Sequence, residues 1–224
     1  MSAIKLSPSD LTFLWDECPR CFYLKVVQGF ARPSGAFPKI FTRIDGLMKK
    51  HFGGKLTRAI SPLLPTGVVR MGESWVESLP IAPPGSPIQV FFRGKYDTLL
   101  EFDDGSYGVV DFKTSDVKPE NVPFYSRQLH AYAYALEHAA PRALSLAPIT
   151  HLGLLTVEPD EMQVIDGKIA YLGKVAWQPC PLDWEGFLDF TARVASVLAQ
   201  PQPPDPGATC PYCAYRQSAR QTGL

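Results

Sequence analysis

The sequence predicts a mixed α/β sheet with helices on its faces, and three observations carry that expectation. First, Val90–Phe102 and Tyr107–Lys113 have the β-branched and aromatic content of strands, and Asp103-Asp104-Gly105 between them is a hairpin turn signal. Second, from about Pro123 to Ala140 the residues Tyr125, Leu129, Tyr132, Ala133 and Leu136 recur at helical spacing. Third, further strand-like runs follow, and the chain closes on another helical pattern. Elements in this order build a sheet covered by helices.

At the N-terminus, Ser7 as N-cap, Pro8 at the first helical position and acidic Asp10 predict a helix that carries Leu11, Leu14 and Trp15 towards Cys18. Cys18-Pro19-Arg20-Cys21 follows, and then residues 32–38, RPSGAFP, read as a surface loop. A second helix is expected over Phe41–Phe52, with Phe41, Ile44, Leu47, Met48 and Phe52 on one stripe and His51 beside it. Arg43, Lys49, Lys50, Lys55 and Arg58 read one by one as a solvated helix face and loop. Leu79–Pro87 is a proline-rich connector.

The next strand pair carries the chemistry. In Tyr107–Lys113 the parity that holds Tyr107 and Val109 also holds Asp111 and Lys113, which puts a carboxylate and an ammonium where apolar side chains are usual. The preceding strand is interrupted at Asp97. A three-residue loop with Gly105 in the left-handed conformation pairs Phe102 with Ser106 and sets Asp97 opposite Asp111, on one face. A two-residue turn would instead point Asp97 away. Asp97, Asp111 and the backbone carbonyl of Phe112 are hard oxygen donors of the kind Mg²⁺ or Mn²⁺ accepts. Lys113 beside them could orient a nucleophile or stabilise charge developing on a phosphodiester. A structural Asp97–Lys113 salt bridge is the plainer alternative.

Within the following helix, Gln128 and Tyr132 lie four residues apart and so share a face. Thr150–Thr156 and Glu161–Ile165 read as strands, with Lys168–Val175 extending the sheet and Trp184–Leu198 as the last long helix. After a proline-rich connector at 201–206 comes Cys210-Pro211-Tyr212-Cys213. Two CxxC pairs bracketing the chain, without a secretory signal, read as four thiolates on one metal, either Zn²⁺ or an iron–sulfur cluster. Such a clip would restrain the unfolded chain strongly. Cys180 has no partner at ligand spacing and reads as incidental.

With 224 residues, 46% hydrophobic and 20% charged, the chain suits one domain with a full core. No apolar run is long enough to cross a bilayer, so no membrane partner and a cytoplasmic location are expected. There is no internal repeat. Net charge is +0 but unevenly spread. Residues 1–70 hold 11 Lys and Arg against 4 Asp and Glu, whereas residues 71–224 hold 11 against 18. A basic N-terminal part facing an acidic site suits a phosphodiester substrate.

In order and spacing, GKYD at 94–97, VVDFKT at 109–114 and QLHAY at 128–132 resemble the motifs of the PD-(D/E)XK nuclease superfamily. Within it they resemble the RecB-like branch, which includes the nuclease domains of RecB and AddB and the CRISPR-associated RecB-like exonucleases; Cys18-Pro19-Arg20 adds to that likeness. The resemblance implies a restriction-endonuclease-like mixed sheet flanked by helices, forming a single nuclease-like domain over 1–224 with its core at 88–140. It also implies metal-dependent DNA cleavage, with Asp97 and Asp111 as metal ligands, Lys113 as the catalytic lysine, and Gln128 and Tyr132 beside the site. His51, upstream of Asp97 on a helix, becomes a candidate further ligand. The branch often carries a [4Fe-4S] cluster held by one cysteine before the core and three after; this chain has two and two, which keeps zinc as the alternative. DNA is the implied partner, with a helicase or another repair or defence protein beside it. Two other classes compete: a non-cleaving module that grips nucleic acid or a partner through the same fold, and an iron–sulfur electron carrier, to which the Asp-Phe-Lys strand adds nothing.

Overall fold

The computed structural model describes residues 3–70 and 72–222. In chain order these form β1 (Ile4–Leu6), a 3-10 turn (Pro8–Leu11), α1 (Phe13–Glu17), α2 (Pro19–Gln28), α3 (Lys39–Phe52), β2 (Gly67–Arg70), β3 (Ser74–Glu77), β4 (Val90–Tyr96), β5 (Thr98–Phe102), β6 (Tyr107–Lys113), α4 (Val122–Glu137), β7 (Ile149–Ile165), β8 (Lys168–Cys180), α5 (Trp184–Leu198) and α6 (Pro211–Gln221). The strands make two curled sheets, ordered β1-β4-β3 and β2-β5-β6-β7-β8, with helices against them. Asp97 is the single residue between β4 and β5, so the chain changes sheets at that residue.

The β5–β6 hairpin has the three-residue register. Thr98 faces Val110, Leu99 faces Val109 and Glu101 faces Tyr107. The Phe102 N–H donates to the Ser106 carbonyl at 2.9 Å, and Gly105 sits at φ +83, a conformation that L side chains resist. Carried one step further, that register sets Asp97 opposite Asp111. The crossover through α4 then makes β6 and β7 parallel neighbours. α4 buries Leu129, Ala133 and Leu136 in the larger apolar cluster, while on the other face Met48 and Phe52 of α3 pack with Val110, Phe112 and Leu155.

Three elements differ from expectation. The single N-terminal helix is instead a 3-10 turn and a short α1: Ser7 is extended and caps nothing through its side chain, and Thr12 breaks the path with its hydroxyl donating to the Ser9 carbonyl at 2.7 Å. Pro19 then forces the residue before it out of helical conformation, so Cys18 ends α1 and caps α2. The two strands expected over 150–165 are one, because a bulge between Pro159 and Glu161 absorbs the irregularity; β8 pairs along its length as far as Cys180. Residues 32–38 are loop, as read, and α3, α4 and α5 fall within a few residues of their expected spans.

Candidate active site and metal centre

Asp97, Asp111, Lys113, Gln128 and Tyr132 come together where β5 and β6 meet α4. Asp111 is buried, and its Oδ1 accepts from Gln128 Nε2 at 3.3 Å. Gln128 Nε2 also donates to the Tyr132 hydroxyl oxygen at 3.3 Å, so the two helix residues act as one bracket on Asp111. Asp111 Oδ2 is buried and ion-paired with the Lys113 ammonium. Asp97 is half-buried; its Oδ2 accepts from the Phe112 N–H at 3.1 Å, which ties the inter-sheet residue to β6. Lys113 lies 4.2 Å from the centre of the Tyr125 ring.

The electrostatics follow from burial and like charge. Burial pushes the Asp111 carboxyl up to about 6, with Lys113 opposing that rise and Asp97 adding to it. Burial acts against the Lys113 ammonium, but Asp111 outweighs it and the net shift is upward. Burial also raises the Tyr132 hydroxyl, which stays a neutral donor or acceptor. Two facing carboxylates, close enough that Asp97 adds to the rise of Asp111, suit a hard divalent cation.

Three residues at this site went unread in the sequence. Lys49, taken there as solvated, lies half-buried with its Nζ 2.9 Å from Asp97 Oδ1 and 2.8 Å from Asp45 Oδ2, and against Glu73. Burial opposes its charge, yet these carboxylates raise its pKa overall, while burial raises that of Asp45. The available signal was the four-residue spacing of Asp45 and Lys49. His51 is not brought to the cluster. Two residues beyond Lys49 is about 200° round a helix, and the His51 ring is exposed, with Nε2 2.8 Å from Lys55 Nζ.

The four cysteines form a second centre. Cys18 caps α2 and Cys210 caps α6, while Cys21 and Cys213 lie in the first turns. All four ligand atoms lie within 4.8 Å of one another, with Sγ–Sγ separations of 3.7 Å for Cys18–Cys213 and Cys21–Cys210 and 3.6 Å for Cys21–Cys213. None is in a disulfide. Burial raises the Cys18 thiol, but N–H groups of Gly207 (3.3 Å) and Cys21 (3.5 Å) outweigh it and bring it down to about 6. Arg32 reaches Cys210 Sγ at 3.5 Å and stacks 4.8 Å from the Tyr212 ring, a contribution from the loop that the sequence did not announce. Cys213 is pushed up to about 12 by burial and the neighbouring thiols. A metal cation would offset that concentration of sulfur. Cys180 stands apart on β8, its thiol pushed up to about 12 by burial.

A mixed, helix-flanked sheet with paired aspartates and a lysine at a strand end defines a class of metal-dependent nuclease folds. The chain belongs to the PD-(D/E)XK nuclease superfamily, whose family model matches residues 55–218. That span holds Asp97, Asp111, Lys113, Gln128, Tyr132, Cys210 and Cys213, and leaves out Asp45, Lys49, Cys18 and Cys21. Membership implies metal-dependent nuclease chemistry and a nucleic-acid substrate. No curated protein matches the chain. Twelve solved chains do, among them one described as the crystal structure of SSO0001, with 16% identity and a TM-score of 0.44 over 91% of this chain and 80% of that one. No helix among the described residues is long and apolar enough to cross a membrane.

Proposed function

We propose that this protein is a deoxyribonuclease of the RecB-like branch that hydrolyses phosphodiester bonds, acting as one domain with its core at 88–140. The observation that carries the proposal is the convergence of Asp97, Asp111 and Lys113 beneath the Gln128–Tyr132 bracket, with Asp111 buried and paired with Lys113. Asp97, Asp111 and the Phe112 carbonyl would hold Mg²⁺ or Mn²⁺, which when bound would supply Lewis acidity and lower the pKa of a water. Gln128 donates to Asp111 Oδ1 and so fixes the orientation of a carboxylate that would serve as a ligand. Lys113, fixed between Asp111 and the Tyr125 ring, places a positive charge where the attacked phosphate gains negative charge. Tyr132 locks the rotamer of Gln128.

The four cysteines would hold a structural metal that clips the two ends of the chain together. Between a [4Fe-4S] cluster and zinc, the sulfur spacing supports zinc. Three of the separations are 3.6 to 3.7 Å and all lie within 4.8 Å, close to a tetrahedron around one ion at about 2.3 Å. A four-iron cube would spread the thiolates well beyond that.

One observation favours a second reading, a non-cleaving module for nucleic acid or a partner: the Lys49 and Lys113 ammonium groups already neutralise Asp97 and Asp111. Cleavage of end-labelled single- and double-stranded DNA with Mg²⁺, Mn²⁺ or chelator, beside Lys113→Ala, separates the two. Cutting that needs metal and falls by about 10²-fold or more in the variant supports the nuclease. Equal background from both proteins supports the module. Iron and zinc content of anaerobically purified protein identifies the metal at the cysteines.

A further inference from the structure

α2 and α6 both start at the cysteine centre, and along them lies an open groove of about 740 Å³. Arg20 comes from α2, Arg216 and Arg220 come from α6, and among the described residues no carboxylate lines the groove. None of the three arginines is ion-paired among the described residues. Arg216 and Arg220 lie four apart on one helix, a spacing at which like charges repel unless an anion sits between them. The core does not demand them, since α6 buries none of its residues. Two exposed rings stand at the same groove: Tyr215 is 73% exposed, and Phe30, 54% exposed, carries the Arg216 guanidinium over its ring at 4.6 Å. Cations without acids, interleaved with exposed rings, match the phosphates and bases of an unpaired strand. The bases of a duplex would not be free to stack on these rings.

We propose that the groove between α2 and α6 is a binding site for single-stranded nucleic acid, distinct from the cleavage residues. Arg20, Arg216 and Arg220 hold successive phosphates, and Tyr215 and Phe30 stack bases. The site rests on the nucleic-acid substrate of the proposed function but not on cleavage, and it is tested by binding alone.

The test is fluorescence anisotropy of a short labelled oligothymidylate, its oligouridylate counterpart and a duplex of equal length, without added divalent ion. Wild type is compared with Arg216→Ala/Arg220→Ala, Tyr215→Ala, Arg20→Gln and Lys168→Ala. The double variant should bind single strands about 10-fold or more weakly, and its salt dependence should fall by about 1.4 in slope for two lost phosphate contacts. Tyr215→Ala should lose about 5-fold or more. Lys168→Ala, an exposed charge on β8 outside the groove, should bind as wild type. Metal content of the cysteine centre is measured in each variant; if the double variant loses metal, Arg20→Gln decides, with weakened binding supporting the groove and unchanged binding overturning it. Unchanged affinity in a double variant with intact metal overturns the proposal, as does an equal loss for duplex and single strand. A wild-type protein that binds none of the three probes would sink the nucleic-acid reading itself, whereas normal cleavage with unaltered binding would sink the groove alone.

Discussion

Lys113 and Lys49 are both cations on a carboxylate, yet their removal should act differently. Lys113→Ala leaves Asp111 buried without its partner, so the metal-free variant should melt lower, and added Mg²⁺ should restore part of the loss while cleavage stays absent. Lys49→Met leaves Asp45, Glu73 and Asp97 facing one another and should cost about 1–3 kcal/mol without divalent ion. It should also tighten Mn²⁺ binding, because the ammonium no longer competes for Asp97; weaker Mn²⁺ binding in a titration would show that Lys49 supports the cation instead. His130 offers a pH test away from both centres. Its Nδ1–H donates to the Ser126 carbonyl at 2.8 Å and its Nε2 accepts from the Asp183 N–H at 2.9 Å, an arrangement only the neutral ring can make. Burial lowers its pKa. A lowered folded-state value means the stability from this group is complete above the unfolded value of about 6.5 and is lost as pH falls through the folded one. Thermal melts across that range should show the acid loss in wild type and a flatter limb in His130→Gln. At this scale the sequence was legible where residue type and strand parity agreed, as at Asp97, Asp111 and Lys113. It was not legible for Asp45 and Lys49, because charged residues on a surface-type helix look alike until the fold shows which way the helix faces.

Among the elements, the β5–β6 hairpin could be read in advance because its turn chemistry and the required meeting of two aspartates pointed to one register. The small edge strands β1, β2 and β3 could not, since each has only three or four residues and is defined by a partner distant in sequence. One such partnership is visible at Gly94, where a Cβ would come within 2.7 Å of Pro8 Cδ and 3.1 Å of the Tyr132 ring. The glycine of GKYD therefore lets the 3-10 turn and α4 close on β4. Gly94→Ala should destabilise the fold by about 1–3 kcal/mol and displace Tyr132, so that cleavage drops more than DNA binding does. A melting temperature equal to wild type would show that Pro8 yields without cost. The long β7–β8 hairpin was read as separate pieces because Pro159 looks like a strand end, whereas a bulge accommodates it.

For the whole molecule, the cysteines join α2 to α6 across almost the full chain, and the two CxxC pairs were enough to foresee it. Two of their donors, the Gly207 N–H and the Arg32 guanidinium, were not foreseeable, as both residues lie outside any motif. Cys18→Ser or Cys210→Ser should lose the bound metal and lower the melting temperature, because closing so long a loop is what the centre contributes to the unfolded-state balance. Full metal content with an unchanged melt in either variant would show that the four thiols do not share one ion. The uneven charge also has a different meaning once folded. Of the basic residues in the N-terminal part, Lys49 serves the acidic site from within, and Arg20 faces the groove beside the cysteine centre.

Asp97 is the one residue between a strand of the first sheet and a strand of the second. It is thus an axle as well as a ligand candidate: any twist of β1-β4-β3 against the larger sheet turns its carboxylate. Substitutions in β1, which pairs with the far end of β4, would retune the site through this pivot. Conversely, a cation seated on Asp97 and Asp111 would act as a pin, slowing amide exchange in the smaller sheet.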